Sequence, residues 1–246
     1  MKLYQSLGPN PRVVLMYLAE TGIAVDRQFV DIMAAENRQP DFCAKSPLGH
    51  TPLLELDDGT CLAESVAICE YLDETVGGHA MLGATAEERA QTRMLVRIVD
   101  QLVVVPMTAG FRGAEGLPMF QSRMLCLPDA AADLKRLAAD GLAKVDGIVG
   151  AGPWLAADRF SLADVLLYSF VEFGAMVGQP LDPALANLAA WRDRVAARPS
   201  AAASANPKLG IGEPARPTRR STATSCATFT PARCASLAPT RNFVRC

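Results

Sequence analysis

The segment from Ser46 to Glu74, SPLGHTPLLELDDGTCLAESVAICEYLDE, constrains this chain more than any other stretch. Two short runs of β character, Leu53 to Leu56 and Thr60 to Leu62, flank Asp57-Asp58-Gly59, a turn signal that should fold them into an antiparallel hairpin. Ser65 then opens a helix carrying Val66, Ile68, Cys69 and Leu72 toward a core, and Gly77-Gly78 closes it. A proline directly before a strand inside a sheet is unusual, because it has no backbone donor. The expectation is a cis Thr51–Pro52 bond that turns the chain sharply into the strand; an ordinary trans proline at a strand start is the alternative.

Upstream, Lys2 to Gln5 reads as a strand. A Gly8-Pro9 break follows, then a helix from about Asn10 with Val14, Leu15 and Leu18 at helical spacing and Gly22 as its stop. Ala24 to Ile32 reads as a second strand, with an irregular polar stretch around Pro40 behind it. The order is βαβ, irregular segment, ββα, which a four-stranded mixed sheet with helices on its faces satisfies.

Beyond residue 78 the β signal disappears. Thr85 with Glu88 makes a capping box for a helix running toward Asp100 and past Pro106. A second helical pattern spans Asp129 to Val149 with Leu134, Leu137, Leu142 and Val145, and Ser161 with Asp164 caps an apolar helix through Leu166, Leu167 and Phe170. Pro183 to Arg198 supplies the last helix, which Pro199 ends. The expected division is 1–78 for the α/β part, 79–86 for a linker, 87–206 for an all-helical part and 207–246 for a tail.

Charge divides the chain the same way. Seven basic residues against Glu213 alone give 207–246 a net charge of +6; the whole chain carries −2, which leaves −8 for the rest. Five prolines and few large apolar side chains predict a tail that cannot bury enough surface to offset its chain entropy. It lacks the aromatic interleaving and lysine clusters of a nucleic-acid site, so no nucleic-acid partner is expected. No long uncharged apolar run and no leader-like N-terminus stand out, so neither a membrane partner nor secretion is expected. The seven cysteines form no CxxC pair, which predicts no structural metal and a reducing, cytoplasmic setting. Cys43, Cys61, Cys69 and Cys126 are most simply buried small hydrophobes.

Three stretches in this order, MKLYQSLGPNPRVVLMYLAE, the Ser46–Glu74 segment and FSLADVLLY, resemble the cytosolic glutathione transferases over residues 1 to about 206. The resemblance implies a thioredoxin-like N-terminal domain for glutathione, an all-helical C-terminal domain for the second substrate, and a homodimer. It implies glutathione as co-substrate, with no other cofactor. The backbone of Thr51, before Pro52, would pair with the cysteinyl part of glutathione, β-augmentation in miniature. Glu64 would take the γ-glutamyl amine, and Ser65 with the exposed helix N–H groups its carboxylate; a plain N-cap is the other role open to Ser65. His50 stands where relatives often place Lys or Gln for the glycyl carboxylate, or is an exposed loop residue.

Relatives activate the thiol by donating a hydrogen bond to the thiolate near the start of the first helix. Gly8-Pro9-Asn10 looks like the Thr-Pro-Asn of the bacterial nu class with the threonine lost. Asn10, whose amide carries two donors, is therefore the expected thiolate ligand, with Ser6 as substitute and an N-cap role for Asn10 as the alternative. Tyr4 is expected to pack, and Arg12 to tie the two domains or face solvent. Met107, Phe111 and Phe120 are candidates for an apolar second-substrate pocket, and Asp100 for a reach across a dimer interface. The function implied is transfer of glutathione to a small apolar electrophile in detoxification. A glutathione-dependent disulfide reductase and a non-catalytic binding or assembly module are the alternatives.

Overall fold

Alternation along two neighbouring strands sets the architecture. In the computed structural model, which describes residues 1–76 and 78–205, β1 (Lys2–Gln5) lies antiparallel to β3 (Leu53–Glu55), with Leu3 opposite Leu54 and Tyr4 opposite Leu53. Leu3 and Leu54 point to the main core, where they meet Val13, Val14 and Tyr17 of α1 (Pro9–Thr21). Tyr4 and Leu53 point the other way and pack with Val30 and Phe42. One register thus feeds two cores. β2 (Asp26–Phe29) runs parallel to β1, and β4 (Cys61–Ala63) closes the hairpin on β3, giving the order β2-β1-β3-β4. The turn residue Gly59 has φ 85°, a conformation that favours glycine.

The expected four-stranded mixed sheet is therefore present, with local differences. The second strand is shorter than 24–32, and all four of its residues are exposed at the sheet edge. The stretch expected to be irregular contains α2 (Pro40–Lys45), whose Phe42 meets the Tyr4 ring edge-on at 6.0 Å. Tyr4 packs, and its hydroxyl donates to Glu55 at 2.6 Å while accepting from Lys45 at 2.7 Å. α3 (Ser65–Thr75) buries Ile68, Cys69 and Leu72, and Val66 is only partly covered. Of the four expected buried cysteines Cys69 alone is buried, and burial pushes its thiol pKa up.

Past the sheet the described chain is mostly helical. Pro106 does not break the long helix. α4 (Ala86–Val99) passes into a π turn at Asp100–Val104 and then into α5 (Val105–Gly113). The Val105 N–H bonds back five residues to Asp100, which widens the turn ahead of a proline that brings no donor of its own. The Leu102 carbonyl then lies against Gly141 of α7 (Ala131–Val149), where even a Cβ would overlap it. By length and hydropathy Ala86–Gly113 is sufficient to cross a membrane; half of its most apolar window is buried inside the protein, as in a core helix. Leu137 of α7, expected in the core, is 57 % exposed. α8 (Leu162–Met176) is buried on nearly every side. α9 (Ala186–Ala196) is followed by α10 (Pro199–Ala203), so Pro199 begins a further helix at its first position, where a missing N–H costs nothing. The tail expectation lies outside the described residues.

Two contacts, one buried and one partly buried, hold the sheet part to the helical part. Arg12 of α1 donates to the Ala201 carbonyl at 3.3 Å and lies over the Tyr168 ring at 5.0 Å, which makes it a tie and not a solvent-facing residue. Glu20, also on α1, accepts from Arg198 Nε and Nη2 at 2.7 and 2.6 Å and from Ser200 Oγ. Burial pushes the Glu20 carboxyl up, but these donors outweigh it and its pKa falls below the ordinary value of 4.5. A depressed carboxylate stabilises the fold above its unfolded pKa, and the contribution disappears as pH falls through the folded one. Glu20→Gln should therefore cost about 1–2 kcal/mol near neutral pH. The gap in urea midpoint between wild type and variant should close progressively below pH 4.5; a gap independent of pH would refute the ionic nature of the tie.

Candidate functional site

The loops at one end of the sheet and the helices facing them enclose a cleft of about 330 Å³. Three loops carry the sequence candidates on its sheet-side wall, which Ile32, Met33, Asn37 and Arg38 complete. The first, Leu7 to Pro11, starts α1. Gly8 is the N-cap residue, with φ 119°, and Asn10 is the second helical residue, so the N-cap role left open for Asn10 falls to Gly8. Pro9 and Pro11 remove two of the N–H groups that a helix start normally presents. An anion held here depends correspondingly more on the Asn10 side chain.

The second loop carries His50, Thr51 and Pro52. Asn37, itself buried, donates from Nδ2 to the Gly49 carbonyl at 2.7 Å, and Ser46 Oγ accepts from the His50 N–H at 3.1 Å. Gly49 has φ 61°, and a Cβ there would collide with the Asn37 carbonyl, so glycine is required. The Thr51–Pro52 peptide bond is cis. His50 Nδ1 stands 3.8 Å from Glu64 Oε1 across the cleft mouth, and both side chains are largely exposed.

The third loop starts α3. Glu64 is the N-cap residue at φ 71°, and Ser65 is the first helical residue, so Ser65 is not the plain N-cap that was its other reading. No side chain caps this terminus, which leaves its first-turn N–H groups as donors toward the cleft. Ser65 Oγ donates to Asn10 Oδ1 at 3.3 Å. That bond uses the amide oxygen and none of the Asn10 N–H donors.

The helical wall consists of Thr108, Phe111 and Arg112 on α5, Met119 and Phe120 on α6 (Leu117–Phe120), Arg123 and Met124 just after it, and Phe173 on α8. Phe111 meets Phe120 and Phe173 edge-on, at 6.0 and 5.1 Å between ring centres.

Among the sequence candidates, Asn10, His50, Thr51, Pro52, Glu64, Ser65 and Phe111 come together on this one cleft, and Phe120 with them. Three candidates do not. Ser6 is 3 % exposed and off the wall, and its hydroxyl has no partner among the described residues; the loop that follows it, not Ser6, reaches the cleft. Met107 is 1 % exposed and packs against Gly174 on α8, one turn of α5 away from Phe111. Asp100 pairs with Arg97 at 2.8 Å and is not on the wall either. Arg112, Arg123 and Phe173 were missed, because the residues carry no motif and only the crossing of α5, α6 and α8 brings them together. Among the described residues no group of His, Cys, Asp and Glu could hold a metal.

The comparisons agree with this geometry. The model of the glutathione S-transferase N-terminal domain matches residues 1–74, and that of the C-terminal domain residues 130–199. Glutathione S-transferase 2 of Saccharomyces cerevisiae is 32 % identical over 200 residues, 78 % of this chain and 84 % of that protein. The crystal structure of a glutathione S-transferase domain-containing protein from Marinobacter aquaeolei superposes with a TM-score of 0.76 at 38 % identity, covering 81 % of this chain and 99 % of that one. Elongation factor 1-gamma of Danio rerio is 31 % identical over 148 residues, which are 60 % of this chain but 31 % of that protein. With both domain models matched in order, and a relative this similar spanning most of the described fold, the chain belongs to the glutathione S-transferase family.

Proposed function

We propose that this transferase binds glutathione along the sheet-side wall and activates its thiol through Asn10. The observation that carries the reading is the Ser65–Asn10 hydrogen bond. It links the first residue of one helix start, suited to a carboxylate, to a side chain at the other whose two N–H donors stay uncommitted. In this reading Ser65 and the α3 N–H groups take the γ-glutamyl carboxylate, Glu64 the amine, the Thr51 backbone the cysteinyl amide, and His50 the glycyl carboxylate. The hydroxyl of Ser65 has one proton, so binding of the carboxylate turns that proton away from Asn10.

The chemistry is nucleophilic substitution or addition. In substitution the sulfur bonds to the electrophilic carbon, the leaving group departs with its electron pair and the thiol proton passes to water; in addition nothing leaves, and the displaced π pair takes a proton from water. Rate comes from holding the thiolate and presenting it to the second substrate, with no covalent enzyme intermediate. The division of labour proposed is residues 1–78 for glutathione and 87–206 for the electrophile, joined by 79–86, in a homodimer acting in the cytoplasm as a detoxification enzyme. The elongation factor match favours a second reading, a binding module with this fold. Conjugation of glutathione to 1-chloro-2,4-dinitrobenzene separates them. Turnover is expected, with Ser65→Ala raising the KM for glutathione about tenfold through loss of a hydrogen bond to a charged group. Turnover of a small mixed disulfide alone would support the reductase, and absence of any turnover the binding module.

A further inference from the structure

The helical wall carries two guanidinium groups for which glutathione activation has no use. Arg112 follows Phe111 at the end of α5, is half-buried, and holds its charge over the Phe120 ring at 5.5 Å. Among the described residues it meets no carboxylate: Glu115, three residues on, is committed to Lys135. Burial pulls the Arg112 pKa below its ordinary value, the mark of a cation in a poorly hydrated place. Arg123 donates from Nη1 to the Ile32 carbonyl at 3.3 Å and likewise has no carboxylate partner among the described residues. The one acidic residue on the cleft wall, Glu64, belongs to the sheet side and faces His50. A half-buried cation without a counter-ion is costly, and a ring face offsets only part of that cost. Beside it, the edge-to-face rings of Phe111, Phe120 and Phe173 offer an apolar surface.

We propose that the second substrate is an apolar, aromatic-sized electrophile bearing a carboxylate, seated on Phe111 and Phe120 with its carboxylate against Arg112 and with Arg123 adding positive charge. The proposal rests on the transferase reading above. Both carboxylates of glutathione have partners elsewhere in that reading, which leaves these arginines for the other substrate. A chain whose first 206 residues carry −8 does not draw anions by its overall field, so selection of an acidic substrate falls to local guanidinium groups. The carboxylate is not consumed. For a nitroaryl chloride the thiolate sulfur bonds to the ring carbon, chloride leaves with the bonding pair, and the thiol proton goes to water.

The test compares 4-chloro-3,5-dinitrobenzoate with its methyl ester as substrates of the full chain. The acid-to-ester ratio of kcat/KM should fall about tenfold or more in Arg112→Gln, mainly through the KM of the acid, with partial recovery in Arg112→Lys. Arg123→Gln should lower the ratio less, and it serves as the test if Arg112→Gln does not fold. An unchanged ratio in a folded variant would overturn the proposal while leaving the transferase reading intact. If neither compound is turned over, the transferase reading fails. The affinities of the two preformed glutathione conjugates, measured by calorimetry, then decide: a loss in the variant confined to the acid conjugate supports the proposal, and equal losses overturn it.

Discussion

Asp164→Ala should lower the unfolding free energy by about 3–5 kcal/mol, because it strips the acceptor from several buried donors at once. The carboxylate is fully buried at the start of α8 and accepts four hydrogen bonds. Two come from the Ser161 N–H and Oγ at 2.9 Å, one from the Leu155 N–H at 2.9 Å and one from Trp191 Nε1 at 2.8 Å. Burial pushes its pKa up despite these donors. Alanine would leave the Leu155, Ser161 and Trp191 donors buried without an acceptor, each at about 1–3 kcal/mol, and would open a space beside the fully buried Trp191. Asp164→Asn keeps the volume and one acceptor oxygen, so its loss should be smaller. Urea unfolding followed by tryptophan fluorescence measures both. A loss under about 1 kcal/mol for alanine would mean that water or rearrangement satisfies those donors.

Asn10→Ala should reduce kcat for conjugation by about tenfold to a hundredfold, its upper end meeting the lower edge of the 10²–10³ lost with one donor of a preorganised oxyanion site. The change should fall on kcat more than on the KM for glutathione, because the amide donor bonds a thiolate more strongly than a thiol. Asn10→Asp has the same shape but offers an acceptor and a negative charge in place of a donor, so its loss should exceed that of alanine. Pro9 and Pro11 make the effect larger than at an ordinary helix start, since they remove backbone donors that would share the work. Stopped-flow and steady-state rates with a nitroaryl chloride decide. Equal activity of the asparagine and aspartate forms would show that residue 10 does not bond the sulfur.

What the sequence discloses follows from how local each signal is. The Asp57-Asp58-Gly59 turn, the Gly22 stop and the capping boxes at Thr85 and Ser161 each need only a few neighbouring residues, and each is present as read. α2 escapes because six residues do not complete two helical turns, too few for a periodic pattern. The helix running past Pro106 is read from the sequence, whereas the π turn that carries it there escapes, because it depends on one extra residue that no composition rule marks. Leu137 has helical spacing with Leu134, yet it lies on the outer side of α7, where only the crossing with the π turn fixes which stripe is covered. The cleft divides likewise. Asn10, Thr51 and Ser65 stand at element ends that motifs mark, whereas Arg112 and Arg123 enter through helix packing alone.

The pKa of the glutathione thiol in the complex, read from thiolate absorbance during a pH titration, tests the role of Asn10 most directly. A free thiol of this kind ionises near pH 8.5. Bound to the wild type it should ionise about one unit lower or more, and in Asn10→Ala it should return most of the way to the free value. A bound thiol that titrates as the free one does in the wild type would contradict thiolate stabilisation by this site.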